Sequence, residues 1–397
     1  YRNATDEERA EIVADIERSF NESINRPDYA RKLYLIENCI YGVDIQPIAI
    51  QISKLRFFIS LVVDQKTNNN PVDNFGIRPL PNLEAKFVAA NTLIGIEKKD
   101  ADLFTSEAVI QKETAMKDAK HRIFGAKTVK TKRKYKERVT LLREELAKML
   151  EDIGAVGNEE SRLLASWDMF DQNSTSPFFD SEWMFDINNS FDIVIGNPPY
   201  GVSIKGQYRK DVVKHLGNVP DYEIYYYFIQ VGEELLEDKG ILSYIIPNTY
   251  LFNNFAKNYR INILKKWNII EILDCTKFKI FESATVFNTI NTWQKSSSGT
   301  QERIGYRRTS EVTSFDELIE NPRSFLRKKD LLIMNQNWGL AFFLSDEVVA
   351  LINKISRNTE SITDYYDCSQ GYIPYRLSDL ISVYGKEEGT RIKTQRL

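Results

Sequence analysis

The sequence predicts an α/β fold built on a parallel, doubly wound sheet. Two observations carry that prediction. Short apolar stretches, ENCIYGVDI, KFVAANTLIGI and FDIVIG, alternate with amphipathic helical stretches at strand–helix–strand spacing. The composition is that of a globular chain: 397 residues, 42% hydrophobic, long enough for a large core and more than one domain. No run approaches about 18 consecutive apolar residues, so no membrane-spanning helix is expected.

In order along the chain, DEERAEIVADIERSFNESI has helical periodicity and ENCIYGVDI reads as a short strand. PIAIQISKLRFFISLVVDQ follows as an amphipathic helix, with Pro47 in the first turn where its missing N–H costs nothing. NNNPVDNFGIRPLPN is a loop by its Asn, Pro and Gly content, and KFVAANTLIGI is the next strand. From about Lys112 to Glu160 the chain is long, charged and helical, which predicts a helical hairpin inserted between two strands. SPFFDSEWMFDINNS returns to the core and FDIVIG reads as a central strand. A polar loop (201–219), a tyrosine-rich helix (DYEIYYYFIQVGEELLED) and the strand GILSYIIP follow. FAKNYRINILKKW reads as a helix, NIIEILD as a strand, and KIFESATVFNTINTWQK as a turn and an outer strand. KSSSGTQER marks a boundary, and CSQGYIPYRLSDLI begins a further region. The chain thus divides into 1–110, the insertion 111–165, 166–295, and a linker with a further region at 296–397.

Charge and rare residues narrow the function. The N-terminus, YRNATDEERAEIVADIERSF, is polar and acidic and unlike a secretion signal. Cys39, Cys275 and Cys368 lie far apart, and His121 and His215 stand alone, so an intracellular, cytoplasmic protein without a metal site is expected. The net charge of −3 argues against a nucleic-acid partner on average. Between Lys120 and Lys148, however, eleven Lys and Arg face three acidic residues. Such a stretch either steers toward phosphates or forms a solvated helical face.

The chemistry concentrates in FDIVIGNPPY, where a strand ends in Asn197-Pro198-Pro199-Tyr200. Proline fixes its own φ and drives the preceding residue to extended backbone. Asn197 is therefore held extended, and its side-chain oxygen and the Pro198 carbonyl form two preset acceptors. Tyr200 adds a flat, amphipathic face beside them. This set suits an amino group on a planar ring. Two hydrogen bonds accepted from such an amine localise its lone pair, so catalysis rests on orientation and electrostatics without a tuned base. The alternative for the same four residues is an ordinary proline turn after a strand.

At these residues the chain resembles the N6-adenine DNA methyltransferases of restriction-modification systems, including type IIG and phage-exclusion enzymes. The resemblance runs over about residues 30–295 in the order YGVDIQPIAIQISKLRFF, AANTL, the helical insertion, PFFDSEWMF, FDIVIGNPPY, GILSYIIPNTYL and FKIFESATVFNTI. It implies a Rossmann-like class I methyltransferase sheet, S-adenosyl-L-methionine as cofactor, and double-stranded DNA with a flipped adenine as substrate. It further implies that Asp44 binds the cofactor ribose, that Ile45 packs on the cofactor adenine, and that Asn91 meets the adenine edge. By the same resemblance, Phe228 would line the cofactor pocket, and Phe281 would hold the far face of a target base stacked on Tyr200. Relatives often carry Asp at the Asn91 position. They also carry a glycine-rich loop ahead of the ribose-binding acid that the residues before Asp44 do not supply, so the chain reads as a fragment, with a nuclease on another part of the polypeptide as one option. The same loop could serve a base in RNA or a protein glutamine. The insertion, the C-terminal extension and FFDSEWMF favour DNA. A non-catalytic DNA-recognition fragment, or a degenerate methyltransferase, is the rival of a different class.

Overall fold

The computed structural model describes residues 28–395 and four isolated positions before them (13, 14, 17 and 20), except 78–82, 99–105, 126–128, 188–189, 221–222, 279, 282–285, 297–300, 310–311, 334–336, 344–345, 358, 361, 363–364 and 367–376. The expected N-terminal helix and most of CSQGYIPYRLSDLI lie outside the described residues. The chain forms two compact units, Tyr1–Trp338 and Gly339–Leu397.

In the first unit, α1 (Tyr29–Asn38) leads into β1 (Gly42–Asp44), and α2 (Pro47–Val62) starts on Pro47 as expected. β2 (Phe87–Ala89) pairs with β1 in parallel, Asp44 opposite Ala89. Both strands are shorter than the apolar runs suggest, because α1 consumes Glu37 and Asn38 and the chain turns away after Ala90. The insertion is a hairpin of α3 (Glu107–Gly125) and α4 (Val129–Asp152), followed by α5 (Asn158–Ser166). Its inner face, with Met116, Ile123, Val139, Leu142 and Leu146, joins one core with Val88, Phe178 and Trp183. Burying a side chain of this size contributes about 1.5–3 kcal/mol, so the hairpin is held to the body along its length.

After α6 (Ser181–Phe185), the strand β3 (Phe191–Gly196) opens a second sheet. Next come α7 (Gly206–Leu216), α8 (Tyr225–Leu235), β4 (Leu236–Pro247), α9 (Lys257–Lys266), β5 (Trp267–Asp274) and β6 (Asn288–Lys295). β7 (Arg303–Arg307), α10 (Phe315–Glu320), β8 (Ser324–Arg327) and α11 (Lys328–Ile333) complete the unit. The six strands lie in the order β3-β4-β6-β5-β7-β8, with β3–β4 and β5–β7 parallel and the other pairs antiparallel. The architecture is α/β as expected, but the larger sheet is mixed and not parallel throughout, because β6 enters antiparallel between β4 and β5 and β8 pairs antiparallel with β7.

Four further expectations need correction. FDIVIG, read as central, is an edge strand of its sheet among the described residues, and its Ile193 and Ile195 are 63% and 80% exposed. The segment NTINTWQK, read as outer, lies between β4 and β5, which is why Thr289, Asn291 and Trp293 are almost wholly buried. The polar loop 201–219 contains α7, whose Val212 and Leu216 pack one turn apart beneath a polar surface. The sheet also continues past KSSSGTQER into β7 and β8, and the division between units falls at Trp338 instead.

The second unit contains the described helices α12 (Gly339–Phe343), α13 (Asp346–Ser356), α14 (Leu377–Tyr384) and α15 (Lys386–Gln395). No helix among the described residues is long and apolar enough to cross a membrane.

A cluster of tyrosines underlies the β4 side of the sheet, with the rings of Tyr225 and Tyr226 4.4 Å apart and Tyr259 edge-on to Tyr226 at 4.9 Å. Burial pushes Tyr226 up to about 12, and pushes Tyr225, Tyr244, Tyr250 and Tyr259 up as well. These phenols have folded pKa values above their unfolded ones, so the stability they provide is complete below the ordinary tyrosine value of 10.0 and is lost as pH climbs beyond it. At about pH 10.5 an unfolded tyrosine is about three-quarters ionised, so these five should leave tyrosinate absorbance short of the guanidinium-unfolded chain by about four tyrosines. Equal absorbance in the two states would contradict the buried cluster.

Candidate active site

β3 delivers its last residue, Gly196, beside Tyr244 of β4. A Cβ at Gly196 would stand 2.9 Å from the Tyr244 ring, so this position requires glycine for the two strands to pair. The next residues form the Asn197-Pro198-Pro199-Tyr200 loop, with Pro198 buried, Asn197 and Pro199 exposed, and Tyr200 half-buried. Asn197 is turned to the surface and is not sealed in the core.

Four hydrogen-bond contacts fix the loop. The Tyr200 hydroxyl lies 2.5 Å from Asn197 Oδ1 and 3.0 Å from the Ile245 carbonyl of β4. The Gly201 N–H donates to the Glu223 carboxylate at 2.7 Å, and the Ile224 N–H to the Val202 carbonyl at 2.9 Å. Gly201 has φ +68°, the left-handed conformation that reverses the chain after Tyr200. An amide oxygen has two lone pairs, so Asn197 Oδ1 can receive a second donor while Tyr200 holds it in place. Burial pushes the Tyr200 phenol up to about 12, which keeps it a neutral donor across the physiological range.

Phe281 joins this group from the connection between β5 and β6. That connection leaves the same end of the sheet as the loop: β4 ends at Pro247 opposite Asn288, and β5 ends at Asp274 opposite Thr289. The Tyr200 and Phe281 rings stand 6.3 Å apart at 54°. A flat ring stacked between two parallel rings needs ~7 Å, twice the ~3.5 Å contact distance of carbon atoms. A small opening and levelling of the pair would admit one.

A second group sits at the C-terminal ends of β1 and β2. Asp44 is exposed, with one carboxylate oxygen accepting from the Gln46 N–H at 2.7 Å and the other directed to no described partner. Ile45 is 57% exposed and its carbonyl accepts from the Thr175 hydroxyl at 2.9 Å. Asn91 lies just beyond the end of the neighbouring strand. Its Oδ1 accepts from the Leu93 N–H at 3.2 Å and the Tyr208 hydroxyl at 3.3 Å, and its amide N–H groups have no partner among the described residues. An exposed carboxylate, an apolar side chain and a primary amide together match a ribose diol, an aromatic face and a base edge. The donor set fits the adenosine half of an S-adenosyl cofactor.

Phe228 on α8 is partly buried and packs with the cluster of Leu93, Val212, Leu216 and Tyr227. It thus belongs to the apolar floor behind Asn91. The entries of β1 and β3 meet through the Tyr41 and Phe191 rings, 5.8 Å apart. Tyr208 and Glu223 are site-supporting residues that the sequence reading missed. Tyr208, Val212 and Leu216 recur at four-residue steps, a helical signal hidden by the polar composition of 201–219.

The model of the Eco57I restriction-modification methylase family matches residues 38–281, more than half of the chain, and the chain belongs to that family. A Methanocaldococcus jannaschii protein named as a type II restriction enzyme and methyltransferase is 24% identical over 416 residues, covering 88% of this chain and 34% of the relative. The chain spans about a third of that relative's length. Two solved structures superpose at a TM-score of 0.32. The type IIG restriction endonuclease BpuSI is 16% identical over 76% of this chain and 40% of its own. The M protein of the type I restriction enzyme EcoKI is 11% identical over 56% and 68%. The family assignment rests on the family match and not on those superpositions.

Replacing Gly196 by Ala should lower stability by about 1–3 kcal/mol, because the β3–β4 pairing must open to clear the Tyr244 ring. Thermal denaturation of the variant checks this, and an unchanged midpoint would mean that the ring moves aside freely.

Proposed function

We propose that this chain carries the catalytic half of a restriction-modification enzyme that methylates the N6 amino group of adenine in duplex DNA, with S-adenosyl-L-methionine as methyl donor. The observation that carries the proposal is the Asn197–Tyr200 loop, exposed and braced at the end of β3, with Phe281 beside Tyr200. Family membership supports the reaction class.

Each residue has a task in this reading. A target adenine leaves the duplex and stacks between Tyr200 and Phe281, each contact contributing roughly 1–3 kcal/mol. Its amino group donates to Asn197 Oδ1 and to the Pro198 carbonyl. Those bonds hold the nitrogen lone pair in the direction of attack and stabilise the positive charge that grows on it as it takes the methyl group, and the methylated nitrogen then sheds one proton to water. Asp44 and Asn91 would hold the ribose and adenine of the cofactor, with Ile45 and Phe228 lining the apolar wall. When bound, the cofactor supplies an electrophilic methyl group. Cytoplasmic residence and a nuclease elsewhere in a longer polypeptide accord with this reading.

Substitutions separate the parts. In the natural full-length protein, Asn197→Ala should reduce methyl transfer to mixed-sequence DNA about a hundredfold or more, because one of two acceptors is gone. Tyr200→Ala should reduce it strongly, whereas Tyr200→Phe should stay within about tenfold, because the ring face remains. Retained DNA binding in these variants would place the loss in the chemical step. Digestion of the product DNA to nucleosides should give N6-methyldeoxyadenosine. Undiminished turnover in Asn197→Ala, or methyl groups on another base, would overturn the assignment.

A further inference from the structure

We propose that the end of the hairpin where α4 begins is a docking arm for the phosphate backbone of duplex DNA. The inference rests on the DNA-directed reading above and goes beyond it by assigning a surface outside the active site. Charge along α4 is sharply divided. Val129–Arg138 holds six Lys and Arg against one Glu, whereas Val139–Asp152 holds two basic residues against four acidic ones. The whole chain carries −3, so this short stretch is strongly positive on an acidic body.

The acidic end of the helix is internally compensated. Glu145 pairs with Lys112 at 2.5 Å, and Lys148 pairs with Glu151 and Asp152 at 3.3 and 3.1 Å. The basic end is not. Arg133 pairs with Glu137 at 2.9 Å, but Lys130, Lys132 and Lys134 are exposed and make no ion pair among the described residues.

The position of these cations opposes the stability of the helix that bears them. A helix N-terminus carries the positive end of the macrodipole and favours acidic residues, and the first turn of α4 has none. A helix selected only for solubility would place its lysines at the other end. Charge set against a local folding rule points to a use outside the fold.

The inner face cannot rotate to hide the cations, because Tyr135, Val139, Leu142 and Leu146 are committed to the core. Lys136 is further pinned over the Phe170 ring at 4.4 Å. The stretch is about 13 Å long at 1.5 Å per residue, which matches about four phosphates of one DNA strand. A rigid, uncompensated cationic rod of that length fits a polyanion of regular spacing.

The test is fluorescence anisotropy of the full chain on a labelled mixed-sequence DNA duplex between 50 and 200 mM salt. Wild type is compared with the combined variant Lys130→Gln, Lys132→Gln and Lys134→Gln, and with Lys148→Gln as a control at the compensated end. The triple variant should show a log–log salt slope shallower by about 2–3, and binding at least about tenfold weaker at the lowest salt. Its melting temperature should not fall, since cations leave the positive end of a helix dipole. Lys148→Gln should keep the wild-type slope. A triple variant with the wild-type slope would overturn the arm while leaving the methylase reading intact. So would a loss of affinity that comes with a lowered melting temperature. A natural full-length protein that binds no duplex at all would overturn both.

Discussion

The parallel pairing of β3 onto β4 is the constraint on which the site depends. It brings Gly196 against Tyr244 and leaves the Ile245 carbonyl within 3.0 Å of the Tyr200 hydroxyl. Without that register the Asn-Pro-Pro-Tyr loop would be an unsupported turn. With it, the two prolines are a continuation of the sheet edge, and Asn197 is held by its neighbour instead of being free to rotate. Stiffness comes from three sources that reinforce one another: proline φ, a strand-to-loop hydrogen bond, and a carboxylate clamp from Glu223 at Gly201. Orientation is cheapest when established before the substrate arrives.

Sheet topology then explains how residues distant in sequence converge. Phe281 is more than eighty positions from Asn197, yet β6 runs antiparallel between β4 and β5, so the β5–β6 connection emerges at the end of the sheet that bears the Asn-Pro-Pro-Tyr loop. Insertion of that strand also accounts for a polar core. Buried Asn291 accepts from the Tyr250 hydroxyl at 2.5 Å and donates to Thr289, satisfying groups that would otherwise be costly in a sheet interior. The segment after β4 is tied down in the same manner by Arg260, whose wholly buried guanidinium donates to the carbonyls of Tyr250 and Asn253.

Much of this was legible in the residues. Pro47 announced the start of α2, the charged periodic run announced the hairpin, and the proline pair after FDIVIG announced the loop. What stayed hidden was long-range. Strand order leaves no local mark, so NTINTWQK read as an outer strand although it is interior, and FDIVIG read as central although it lies at an edge. Helix α7 was masked by polar composition, and with it the contact of Tyr208 on Asn91. The Glu223 clamp spans more than twenty positions and has no signature short of the fold itself.

The central claim is that two fixed acceptors activate an amine without any acid–base residue. Neither the Asn197 amide nor the Pro198 carbonyl titrates, and burial pushes Tyr200 up to about 12. The most direct measurement is the single-turnover rate of methyl transfer by the natural full-length protein as a function of pH. The account predicts a flat profile from about pH 6.5 to 9.5, whereas a bell or a sigmoid centred near neutrality would reveal a titrating base and contradict it.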